Sequence, residues 1–225
     1  MLLGCIVYLA STINAITASQ PVSVDLVSGI PTHEKVVALT FDDGPDPIYT
    51  PQILALLERY QKKATFFVIG QHVQENPKVL SIVSQNGHEI GNHGYSHRRL
   101  YGKTKDFIND DLNKTAKLVA HITGTRPHMV RAPGGRVSSE LVDLAKENNL
   151  KLISWGEDPQ DWKYHDANYI ASHILKNLKP GQIIVMHDGG GDRTATVQAL
   201  GILLPALDQA GYEAVTVGEL LQGEE

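Results

Sequence analysis

From residue 35 onward the chain alternates short apolar, β-branched runs with longer stretches in which apolar residues return every three or four positions. The first pattern predicts buried strands and the second amphipathic helices. Strands are expected at 36–41, 65–69, 88–90, 129–130, 152–155, 183–186 and 213–217. Between the first two, Thr50-Pro51 reads as an N-cap with proline at the first helical position, ahead of Ile53, Leu54, Leu56, Leu57 and Tyr60. A helix over 106–122 would carry Phe107, Ile108, Leu112, Leu118 and Val119. Asp166 or Asn168 would cap another, which buries Ile170, Ile174 and Leu178 and stops at Pro180-Gly181. The last long helix is expected over 197–207, before Gly211. Repeated strand-helix units of this kind call for a parallel sheet, either open and doubly wound or closed into a barrel. No internal repeat or low-complexity tract interrupts them, and 225 residues suit one large domain.

The first 18 residues, MLLGCIVYLASTINAITA, do not fit that alternation. They are apolar and rich in small residues, and the first basic residue of the chain is Lys35. They read as the apolar and small-residue parts of a secretory signal that lacks its basic start, with an ordinary buried strand or helix as the other reading. Leu2-Leu3-Gly4-Cys5 has a superficial likeness to a lipoprotein processing box. The expected organisation is thus a leader over 1–18, cleaved or kept as a membrane attachment, a linker or extension over 19–34, and a catalytic domain over 35–222. An extracytoplasmic location and a monomer are expected with it. Cys5 is the only cysteine, which excludes a disulfide framework and a thiolate metal site. The 25 acidic and 20 basic residues leave a net charge of −5 with no long run of either sign, so nucleic acid is not an expected partner.

The unusual polar residues fall in one place on this scheme. Asp42 and Asp43 end the first strand, at a turn marked by Gly44 and Pro45. Asn92, His93 and His97 follow the third strand and Arg131 the fourth. Asp158, Asp161 and Trp162 follow the fifth, and His187 and Asp188 the sixth. All lie at carboxyl ends of strands, the face on which parallel barrels assemble their active sites. Two adjacent carboxylates are costly to crowd together without a cation beside them. His93 and His97, four residues apart, can present two imidazoles to one side of a turn, and with Asp43 they make a two-histidine, one-carboxylate set. An open three-ligand set is of the catalytic kind. One divalent ion is expected there, zinc first, with cobalt, nickel or another first-row metal as alternatives.

Five motifs in order, TFDDGP (40–45), HGYSH (93–97), RAPGG (131–135), DPQDW (158–162) and IVMH (184–187), resemble those of the polysaccharide deacetylases of carbohydrate esterase family four. The resemblance covers roughly residues 33–222. It implies a distorted, incomplete parallel (β/α) barrel of about seven strands, TIM-barrel-like. By the same resemblance Asp42 would be the general base, Asp43, His93 and His97 the metal ligands, and Arg131 the partner that holds Asp42. His187 would be the general acid and Asp161 its hydrogen-bond partner. Pro133, Gly134, Trp162 and Val185 would meet the substrate, with a backbone N–H of the third motif receiving the oxyanion. The implied reaction is hydrolysis of the N-acetyl amide on N-acetylglucosamine units of peptidoglycan or chitin-like oligomers. An O-acetyl esterase on xylan and an inactive carbohydrate-binding relative are the alternatives, the latter disfavoured because every acid, base and ligand position is filled.

The chain departs from the family pattern at several points. Gly134 stands where many members carry tyrosine, which predicts a wider or differently shaped groove. Gly94 replaces the usual Ser or Thr and is expected to loosen its loop, while Val185 replaces leucine and slightly enlarges the methyl pocket. Gly189, Gly190 and Gly191 admit either a close backbone approach or a tight turn. His33, His72, His88, His121, His128, His165 and His173 read as packing or surface residues, and Trp155 as core.

Overall fold

The computed structural model describes residues 26–223. All seven expected strands form, together with one more. They are β1 (Leu26–Val27), β2 (Val36–Asp42), β3 (Thr65–Val68), β4 (Glu89–Asn92), β5 (Met129–Val130), β6 (Lys151–Ile153), β7 (Ile183–His187) and β8 (Glu213–Val215). The ladders run β1-β6-β5-β4-β3-β2-β7, and every pair is parallel. On one side of β2, β8 pairs with residues 36–38 and β3 with residues 40–42. Among the described residues no ladder joins the edge strands β1 and β7; isolated bridges, Gly29 with Gln182 and Glu157 with Ile184, cross that seam. The sheet therefore curls into a barrel that does not close, as the resemblance implied.

Among the described residues eight helices cover it: α1 (Tyr49–Arg59), α2 (Gly70–Glu75), α3 (Pro77–Gln85), α4 (Lys105–Thr123), α5 (Ser139–Glu147), α6 (Ala167–Asn177), α7 (Thr194–Ala210) and α8 (Val217–Gln222). Strand β2 is buried on both faces, which is why its sequence is an unbroken apolar run. Its period of two divides that run. Val37, Leu39 and Phe41 join the outer core with Ile53 and Leu57 of α1 and Leu200, Leu203 and Leu204 of α7. Ala38 turns inward, to Phe67, Met129, Ile153 and Ile183, where Val217 and Leu220 of α8 also pack. By the same alternation Thr40 and Asp42 follow Ala38 on the inward face, so the strand's geometry delivers Asp42 to the mouth of the barrel.

Some boundaries differ from the sequence reading. Thr50 is not a cap, because α1 begins at Tyr49 and the Thr50 hydroxyl is buried, accepting from Asp46 N at 2.8 Å and donating to Asp188 Oδ2 at 2.5 Å. The run expected as strand over 213–217 splits at Thr216. Its hydroxyl accepts from Glu219 N, the Glu219 carboxylate accepts from Thr216 N, and this capping box starts α8 at Val217. Asp166, rather than Asn168, caps α6. Residues 26–30, expected in a linker or N-terminal extension, belong to the sheet: β1 pairs with β6, and Ile30 is buried with its N–H bonded to Gly181 O at 2.9 Å. The leader over 1–18 lies outside the described residues. No helix among the described residues is long and apolar enough to cross a membrane.

Candidate active site and metal centre

Asp42, Asp43, His93, His97, Ala132, Gly134, Trp155, Asp158, Trp162, Val185 and His187 line one pocket at the carboxyl ends of the strands. Asp42 is the last residue of β2, and His187 the last of β7. Asp43 follows with φ of 75°, a left-handed conformation that a non-glycine residue adopts only when its surroundings enforce it. Those surroundings are visible. His72 Nδ1–H donates to the Asp43 carbonyl at 2.7 Å. A Cβ on Gly189 would stand 2.2 Å from the same oxygen, so the glycine there serves close backbone approach. Ile69 N–H holds Gly44 O at 2.9 Å.

The result is a candidate cation site. Asp43 Oδ1 is buried and has no hydrogen-bond partner. It lies 3.2 Å from His97 Nε2 and 3.5 Å from His93 Nε2, and the three candidate ligand atoms fall within 4.8 Å of one another. His93 Nδ1–H donates to Arg131 O at 2.8 Å, which turns the Nε2 lone pair toward Asp43. Burial lowers the His93 pKa despite the attraction of Asp42 and Asp43, so the imidazole is neutral, as a ligand must be. An orphaned carboxylate oxygen facing two imidazole nitrogens fits a divalent metal ion.

Two hydrogen-bonded pairs flank that centre. Arg131, fully buried, donates through Nη1 to Asp42 Oδ1 and to Thr40 Oγ1, both at 2.7 Å, and through Nη2 to Ser154 O at 2.9 Å. Its plane also lies 4.1 Å from the Phe67 ring centroid. Asp42 is thereby fixed through one oxygen, and its other, Oδ2, is 3.8 Å from His93 Nε2. His187 Nδ1–H donates to Asp161 Oδ1 at 2.7 Å, while Asp161 Oδ2 accepts from His187 N and from Thr196 Oγ1. Burial disfavours the charged ring, but the Asp161 hydrogen bond and charge, helped by Asp42 and Asp43, outweigh it and raise the His187 pKa to about 9. His187 is therefore a protonated acid at neutral pH.

The family's sequence profile, described as polysaccharide deacetylase, matches residues 29–153, more than half of the chain. The chain belongs to the polysaccharide deacetylase family. A peptidoglycan-N-acetylglucosamine deacetylase of Bacillus cereus is 43% identical over 195 residues, which are 86% of this chain and 91% of that one. A crystal structure of a peptidoglycan N-acetylglucosamine deacetylase bound to an N-hydroxy benzamide superimposes with a TM-score of 0.83 at 34% identity, covering 86% of this chain and 91% of the other. A family 4 acetyl xylan esterase of Clostridium thermocellum, in complex with a cobalt ion, superimposes with a TM-score of 0.78 at 34% identity, covering 84% and 91%.

Within this deacetylase fold most of the residues singled out from sequence converge, and a few sit differently. Pro133 is not among the pocket-lining residues, because it is buried against Gly94 of the neighbouring loop, its Cγ 3.5 Å from where a Cβ on that glycine would stand. Trp155, expected in the core, lines the pocket over Gly135. Gly94 does not loosen its loop. It sits at φ of 79° where a Cβ would come 2.8 Å from Asp111 Oδ2, its N–H bonds Asn92 Oδ1 at 2.9 Å, and its carbonyl accepts from Gly70 N. His72 and His173 have polar partners, the Asp43 carbonyl and Glu157 Oε1 at 2.9 Å, that no sequence spacing announced. Thr40, Ser154 and Thr196 hold the Arg131–Asp42 and Asp161–His187 pairs and were not anticipated either, since hydroxyls and carbonyls carry no motif of their own. Asp188 lies beneath the Asp42–Asp43 turn. Burial, opposed by the Thr50 hydrogen bond and reinforced by Asp43 and Asp42, pushes its carboxyl up to about 7.

Proposed function

We propose that this chain is a metal-dependent hydrolase that removes N-acetyl groups from N-acetylglucosamine units of peptidoglycan or chitin-like oligomers. The observation that carries the proposal is the orphaned Asp43 Oδ1 facing His93 and His97 between an arginine-held carboxylate and a protonated histidine. The activity for which the Bacillus cereus relative is named supports the choice of glycan. A leader of the kind read at 1–18 would place the enzyme outside the cytoplasm, where such a glycan is met.

Asp43, His93 and His97 would hold the ion, which when bound supplies a Lewis acid that activates water and polarises the acetyl carbonyl. Asp42, with Oδ1 committed to Arg131, keeps Oδ2 to take the proton of the attacking water. Oxygen adds to the acetyl carbon, and the developing oxyanion meets the Gly134 N–H, which lines the pocket and makes no hydrogen bond among the described residues. His187 then gives its Nε2 proton to the amide nitrogen as the C–N bond breaks, leaving acetate and a free amine. Trp162, half exposed, and Val185, buried, bound the space for the methyl group.

The test measures acetate release from N-acetylglucosamine oligomers by chelator-stripped protein, with and without added zinc or cobalt, beside Asp42→Asn and Asp43→Asn. Metal-dependent release is expected, lost in Asp42→Asn, with metal affinity reduced by at least about 100-fold in Asp43→Asn by equilibrium dialysis. Release from acetylated xylan alone would transfer the assignment to the O-acetyl esterase reading, which the Clostridium thermocellum neighbour supports. Metal binding with no acetate from chitin oligomers, peptidoglycan or xylan would overturn both.

A further inference from the structure

Gly134 opens one side of the pocket, and the space before it is bordered by charge. A Cβ at Gly134 would have a single neighbour within 4 Å, Arg99 Nε at 3.9 Å. Arg99 is exposed, two residues beyond His97, and among the described residues it makes no hydrogen bond and no ion pair. Two residues further along each loop, the Arg136 guanidinium lies 4.0 Å over the ring of Tyr101, which is 49% exposed. These two contacts lay the loop after His97 beside the loop after Arg131, with Arg99 next to Gly134 of the pocket lining and Arg136 against Tyr101 two residues further along. Arg98, between His97 and Arg99, acts instead on the carboxylate of Asp111. The chain as a whole is acidic, at −5, and the pocket itself carries Asp42, Asp43 and Asp158. Arg131, His187 and the divalent ion of the proposed site offset those carboxylates, so an anionic glycan can approach, and a fixed cation at the rim adds attraction for it.

We propose that Arg99, continued by Arg136, is a carboxylate-reading subsite on the Gly134 side of the pocket. It selects a glycan whose sugar next to the reacting acetamide carries a carboxylate over a neutral one. The inference rests on the glycan deacetylase reading and names its substrate class. An unpaired guanidinium offers a planar fork of N–H donors that matches a carboxylate and is costly to leave unsatisfied against a bound ligand. Glycine at 134 matters to it, because a side chain there would stand between the guanidinium and the substrate. In an alternating amino-sugar strand the carboxylate can come from a lactyl ether on the neighbouring ring or from a peptide attached to that ether.

Binding is measured by calorimetry on the full, metal-loaded chain carrying Asp42→Asn, which stops turnover. The ligands are a free-acid N-acetylglucosamine–N-acetylmuramic acid tetrasaccharide, its methyl ester, its peptide-bearing form and chitotetraose. The free acid is expected to bind about fivefold tighter than the ester, the upper end for a partly exposed ion pair, and the advantage should shrink in 0.5 M salt. Adding Arg99→Gln should bring that ratio close to one. If only the peptide-bearing form shows an Arg99-dependent advantage, the subsite stands and reads the peptide. Equal binding of all acids and the ester, or a preference retained in Arg99→Gln, overturns it. Acetate release from neutral chitotetraose by the metal-loaded wild type reports separately on the deacetylase reading.

Discussion

The Asp161–His187 pair sets the pH range over which this site can donate a proton, and Asp161→Asn tests that quantitatively. The exchange keeps the shape of the side chain, and its carbonyl can still accept from His187 N and Thr196 Oγ1. It removes the carboxylate that accepts from Nδ1 and the negative charge beside the ring, while burial, which lowers the pKa, remains. The His187 pKa should therefore fall from about 9 to 6.5 or below. At about 1.36 kcal/mol per unit that is a change of about 3 kcal/mol in the preference for the charged ring. Because the protonated form is the acid, activity is lost as pH rises through this pKa. The alkaline limb of log kcat/KM should move from near pH 9 to pH 6.5 or lower, and at pH 7.5 only about one-tenth of the variant would carry the proton. The assay is acetate release across pH 5 to 10 with saturating metal, beside a thermal melt. The linkage has the same sign in stability: the raised folded-state pKa stabilises the wild type fully below pH 6.5, and this is lost as pH climbs through about 9. An alkaline limb that stays near pH 9 in Asp161→Asn, with activity merely lowered at every pH, would refute the assignment of His187 as the acid tuned by Asp161.

Two further outcomes test the architecture beneath the site. Arg131→Met leaves Asp42 buried without its cation, and calorimetry should show a loss of about 3–5 kcal/mol, on the order of 10 °C in Tm; a loss below about 1 kcal/mol would mean the pair is not a structural requirement. Gly44→Ala sets a methyl 2.1 Å from Asp188 Oδ2 and should cost about 2–3 kcal/mol by denaturant unfolding, part of it recovered in the Asp188→Ala background. Simple additivity of the two changes would place the strain elsewhere.

The parts of the fold that were legible are those in which one short segment carries the whole signal. Strand β2 reads as a strand because burial on both faces demands an apolar run, and its period of two fixes which of Thr40, Phe41 and Asp42 turn inward. Placing Asp42, His93, Arg131, Asp161 and His187 at strand ends was enough to bring them together, because a parallel barrel sends every such end to one face. Where competing local signals met, propensity misled. Val217 looks like the end of a strand until the Thr216–Glu219 capping box is recognised, and Thr50 resembles a cap until Asp188 takes its hydroxyl. The strand at Leu26–Val27 is two residues long and exists only through its pairing with β6.

The sequence by itself thus determined the chemistry on offer: which carboxylates, imidazoles and guanidinium groups reach the mouth of the barrel, and in what order. That followed from periodicity and motif order, which are properties of neighbouring residues. Only the tertiary structure decided how those groups are held. The left-handed Asp43 depends on His72 from α2 and on Gly189 beyond β7, the proton of His187 on Thr196 and Asp161, and the open rim at Gly134 on Arg99 from another loop. Each of these contacts joins residues far apart in the chain, and their spacing in sequence has no period that a reader could detect, because the curling of the sheet alone brings them within reach.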